Sequence, residues 1–128
     1  MPVFNALGQP IGDPVVEWTP PPHPPRDMLV GRYCRVEPLD AVRHADQLFE
    51  ANSHDRDGHN WTYLAVGPFA TRHEYAQWVK SVERHDDPQF YTVTVDGRAV
   101  GVASYLRIDP AAGSIEVWHI NFSPLLQR

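Results

Sequence analysis

The sequence predicts an α+β domain, a mostly antiparallel sheet carrying two helices. Two segments repeat apolar residues with a period near 3.6, two alternating segments flank Asp96-Gly97, and a further alternating segment follows closely. The order of these signals is strand, helix, helix and then a meander of three strands.

Residues 1–27 stand apart as an arm. Pro2, Pro10, Pro14, Pro20, Pro21, Pro22, Pro24 and Pro25 are eight of the thirteen prolines in the chain. Missing amide donors and fixed torsions exclude helix or central strand there and favour an extended, polyproline-like path over the domain. Val15, Val16 and Trp18 are apolar enough to dock part of it.

The domain proper, residues 28–128, opens with a strand at about 31–39. Tyr33, Cys34 and Val36 supply β-type residues before Pro38 ends the pairing, which makes Cys34 a buried strand thiol. Asp40 can cap a helix over 41–52, in which Ala41, Ala45, Leu48 and Phe49 form one stripe. Residues 53–70 are rich in Asp, His, Gly and Asn and end in Gly67-Pro68-Phe69, the composition of a long functional loop. His54, Asp55, Asp57 and His59 lie close together in it, but their spacing matches no closed tetrahedral metal site, so no metal is expected.

Thr71-Arg72-His73-Glu74 has the form of a capping box, and Tyr75, Trp78, Val79 and Val82 continue as one apolar face. Pro88 stops this second helix near Asp86. Asp96-Gly97 suits the positive torsions of a two-residue hairpin, which pairs Val95 with Arg98, Val93 with Val100 and Tyr91 with Val102. After residues 109–113 a strand from Ser114 to about Phe122 returns antiparallel. No internal repeat is visible.

A formal charge of −5, with scattered Lys and Arg, argues against a nucleic-acid partner. No run approaches the ~18 apolar residues of a membrane span, and the first residues lack a cationic patch followed by an apolar stretch; a cytoplasmic setting is the expectation.

Particular residues narrow the class further. Asn5-Ala6-Leu7-Gly8-Gln9-Pro10-Ile11-Gly12, Trp61-Thr62-Tyr63-Leu64 with Gly67-Pro68-Phe69, and Ser104-Tyr105-Leu106-Arg107-Ile108 resemble one branch of the GNAT superfamily of N-acetyltransferases. Ser114-Ile115-Glu116-Val117-Trp118-His119-Ile120, followed by residues 121–128, resembles that family's fourth strand running into its acetyl-CoA loop. The branch is similar to the ribosomal-protein alanine acetyltransferases. On this resemblance the fold class is α+β (α/β), the N-terminal half of the GNAT acyl-CoA N-acyltransferase fold, truncated at the phosphate loop.

The resemblance implies transfer of an acetyl group from acetyl-CoA to a primary amine, a protein N-terminus or a small molecule. It implies backbone groups of Ile120, Asn121 and Phe122 on the pantetheine and thioester, and Gln127 and Arg128 at the opening of the pyrophosphate loop. Glu116 matches a strand carboxylate that takes the amine proton; the alternative is an exposed strand Glu. His119 has a pKa range suited to proton transfer, against the alternative of a packed side chain. The period of two sets them on opposite faces, so they do not form a dyad. Trp61 and Tyr63 would border the acceptor groove, or else anchor the loop. Truncation at the phosphate loop predicts a chain that is inactive alone, and an open strand edge with exposed apolar side chains predicts a homodimer or swapped assembly. The competing reading is a non-catalytic interaction module that pairs its sheet edge with another chain.

Overall fold

The computed structural model describes residues 1–127. Its main sheet has five strands, β3 (Leu29–Val30), β4 (Arg35–Pro38), β5 (Gln89–Val95), β6 (Arg98–Asp109) and β7 (Ser114–Phe122), paired antiparallel in chain order. Helices α1 (Ala41–Asn52) and α2 (Arg72–Val82) connect β4 to β5 and cover one face. A separate hairpin, β1 (Val3–Phe4) and β2 (Pro10–Ile11), precedes them. Among the described residues, no helix is long and apolar enough to cross a membrane.

Both helices begin as their capping chemistry requires. Asp40 accepts from the Arg43 amide at 2.8 Å, and Thr71 and Glu74 form the reciprocal capping box. Leu48, Tyr75, Val79 and Val82 meet Phe90, Ala99 and Val102 in the core. A buried polar pair ties α1 to β4. His44 Nδ1 accepts from the Asp40 amide at 3.0 Å, so Nε2 carries the proton and donates to Glu37 at 2.7 Å.

The expected single strand over 31–39 is shorter than that. Gly31 N–H donates to the Cys34 carbonyl and closes a turn between β3 and β4, so Cys34 lies half-buried in a turn rather than in a strand. The hairpin register also departs from expectation. Val95 pairs with Arg98, but Val93 pairs with Gly101 and Tyr91 with Ala103, because Val100 is an extra residue in β6. One inserted residue moves every later side chain to the other face. Val102 thereby joins Phe90 beneath the helices, and Gly101 moves to the opposite face. A β-carbon there would come 2.8 Å from Leu126 and 3.1 Å from Phe122, so glycine gives those two side chains their seat.

The arm is docked, though not through Val15 and Val16, which are exposed. Arg26 donates to the carbonyls of Glu83 and His85 at the end of α2, where a cation complements the free carbonyls. Gln89 and Tyr91 donate to the carbonyls of Pro24 and Pro25. Trp18 covers Gly113 so closely that a β-carbon would lie 2.4 Å from its ring.

The long loop is anchored by Trp61, which packs edge-on against Phe69 and Tyr75. Gly67 lies flat on the same indole at φ +82°, and an added β-carbon would sit 2.2 Å from it. Gly67→Ala combines left-handed strain with this overlap and should destabilise the chain by about 2–4 kcal/mol. Urea unfolding measures the effect; a loss below ~0.5 kcal/mol would mean that the loop can lift away from Trp61.

Candidate functional site

β7 is the last strand of the sheet, and its outer side has no strand partner among the described residues. Two irregularities shape it. Ser104 pairs with Trp118 and Val102 with Asn121, so His119 and Ile120 together face Ala103. His119 takes a φ of 47°, uncommon for a residue with a β-carbon. Nearer the hairpin, Arg107 and Ile108 together face Ile115. Arg107 has a φ of 49°, and the Asp87 carboxylate accepts from both the Arg107 and Ile108 amides at 2.9 Å.

The bulge at His119 breaks the alternation that had separated it from Glu116. Glu116 pairs with Leu106 on the helix-bearing face, and the His119 ring turns to the same side. It stacks on Trp78 at 5.1 Å and meets Phe90 and Trp118 edge-on. Glu116 is held differently, exposed and ion-paired with Arg107 at 3.0 Å. The two share a face while having separate environments. Burial lowers the His119 pKa from 6.5 to about 4, so its ring is neutral at pH 7.

Ile120, Asn121, Phe122 and Gln127 are brought together around a cleft of about 240 Å³, with Asn60 as a fifth wall. The Phe122 carbonyl accepts from both the Asn60 and Gln127 side-chain amides, and Gln127 also donates to Asn60 at 3.1 Å. Asn60 was not singled out by sequence. The signal lay in Asp55, whose carboxylate accepts from the His59 and Asn60 amides and winds the loop into a short 3-10 turn. That contact gives Asp55 a structural use in the loop. Arg128 lies outside the described residues.

His119 Nε2, Asn121 Oδ1 and Ser123 Oγ are buried with no hydrogen-bond partner among the described residues. Alternate positions from 119 to 123 thus carry buried, unpaired polar atoms at the end of β7. Such groups are costly unless a ligand or water completes them. Trp61 and Tyr63 do not form a common wall: Trp61 is buried in the core, and Tyr63 is 98% exposed.

This architecture is that of the GNAT fold. The chain is similar to a GCN5-related N-acetyltransferase from Brucella melitensis, at 40% identity over 88% of this chain and 52% of that protein, with a TM-score of 0.82. It is also similar to a probable acetyltransferase (GNAT family) from Chromobacterium violaceum, at 30% identity over 94% of this chain and 61% of that one, with a TM-score of 0.79. The chain thus spans between half and two thirds of the length of these structures. No protein-family model matches it, and no curated protein matches it.

The depressed His119 pKa has a signed consequence for stability. Between pH 6.5 and about 4 the unfolded chain binds a proton that the folded chain refuses, so stability falls as pH drops through that window and changes no further below it. The loss is up to about 3 kcal/mol. His119→Asn tolerates the positive φ but does not titrate, so its urea midpoint should depend less on pH between 6.5 and 4. Parallel curves for the two proteins would mean that the ring is not shielded.

Proposed function

We propose that this chain forms the acetyl-CoA edge and part of the acceptor side of an N-acetyltransferase acting on a primary amine. The observation that carries this is the bulged, unpaired edge at Ile120–Phe122 with the Asn60 and Gln127 amides gathered at its end. A pantetheine arm is an extended chain of amides, and an open strand edge offers it alternating donors and acceptors as another strand would. Acetyl-CoA supplies the activated thioester.

In this reading the bound amine attacks the thioester carbonyl, a C–N bond forms and the C–S bond breaks. One proton leaves the ammonium before attack, and a second passes to the departing thiolate. Donors at the strand edge stabilise the oxyanion formed between those steps. Glu116 serves as the base, through water if the amine lies beyond direct reach. Neutral His119 accepts a hydrogen bond and positions the amine, since a ring with a pKa of about 4 is a weak base toward an ammonium group. Gln127, with Asn60, holds the strand end where the phosphate loop would open.

A second reading has one observation in its favour. Ile115, Val117 and Ile120 are 46%, 63% and 51% exposed along the unpaired strand, a surface suited to pairing with a second copy or another chain.

Two measurements test the enzymatic reading. CoA at millimolar concentration should shift the backbone amide resonances of residues 120–122 and the side-chain amides of Asn60 and Gln127; unchanged spectra would favour the interaction module. Where turnover is measured, Glu116→Gln should lower kcat about 10²-fold with little change in the CoA-induced shifts. An unaltered pH profile of kcat/KM between pH 6 and 9 would remove Glu116 as the base.

A further inference from the structure

On the helix-bearing face, next to the cofactor edge, lies a recess of about 300 Å³. Trp78 and Val82 of α2, Phe90 and Leu106 of the sheet, and Trp118 and His119 of β7 form most of its wall. Among the described residues no carboxylate, Lys or Arg lines it; His85 and His119 are its titratable groups. One wall is therefore the residue immediately before Ile120. The other walls follow α2 and β6 away from that point.

Its chemistry is selective. An apolar wall gives no return for desolvating a second ammonium or a hydroxyl, whereas a compact hydrocarbon group gains from every methylene removed from water. His119 Nε2 is fully buried in the wall between Trp78, Phe90 and Trp118 and has no hydrogen-bond partner among the described residues. A neutral imidazole offers one donor and one acceptor, so the ring can meet a single polar group carried on an otherwise apolar body.

We propose that this recess receives the hydrophobic body of the acceptor, so that the amines taken are those bearing one compact aromatic or branched aliphatic group. Polyamines and hydroxylated amines are disfavoured. The proposal rests on the acetyl-transfer reading for what happens to the amine, but binding in the recess is measurable by itself.

The test is an NMR titration of the full chain, without CoA, using phenethylamine, 3-methylbutylamine, ethanolamine and spermidine. The first two should shift the His119 imidazole and Trp118 indole signals, with dissociation constants at least tenfold below those of the other two. Ala65→Trp fills the recess from an exposed loop position and should abolish the shifts, while CoA still perturbs residues 120–122. Equal affinity for phenethylamine and ethanolamine, or binding that persists in Ala65→Trp, overturns the proposal. If Ala65→Trp disturbs the fold, the ranking of the four amines on the unaltered chain decides. Recess binding with no response to CoA would defeat acetyl transfer and leave the recess as an apolar-amine site.

Discussion

The left-handed backbone at His119 costs a residue with a β-carbon on the order of 1 kcal/mol, and much of the site depends on that cost being met. Stacking on Trp78, with Phe90 and Trp118 at its edges, supplies the compensating contacts. The bulge then lets β7 carry two residues against Ala103 alone, which re-aims the strand on its way to Asn121 and Phe122. A straight β7 would send the imidazole to the other face and remove a wall of the apolar recess. The same aromatic contacts run back through Trp78 and Tyr75 to Trp61, so α2 and the long loop are joined to the bulge by packing.

The second bulge is built by different means. At Arg107 no aromatic stack is involved; the Asp87 carboxylate takes both exposed amides instead. Its effect is to aim Arg107 at Glu116 and keep that carboxylate ion-paired near the hairpin. One edge strand thus carries an apolar irregularity beside a neutral ring and a polar irregularity beside a charged pair.

The parts legible in the sequence were those governed by local chemistry. Asp40 and the Thr71–Glu74 box set the helix starts, and Asp96-Gly97 set the hairpin turn, because each depends on residues within a few positions. Register beyond the turn was not legible. The extra residue at Val100 sets Gly101 against Phe122 and Leu126, side chains more than twenty positions later that no local rule brings into view. The facing of His119 was hidden for a similar reason: alternation cannot reveal a bulge whose cause is Trp78 on a distant helix. Ile120, Asn121, Phe122 and Gln127 were found together through resemblance, while Asn60 entered the cleft through the Asp55 turn.

The docking of the arm bears on the order in which the molecule can assemble. His23, Arg26, Gln89 and Tyr91 tie contacts across 57 to 66 positions, and Trp18 waits for Gly113. Contacts so distant along the chain close large loops and are made after local ones. During synthesis the arm leaves the ribosome before the domain, yet its seat is completed only when the β6–β7 turn has emerged. Its prolines suit that delay, since a segment short of amide donors and held extended has few alternative partners while it waits.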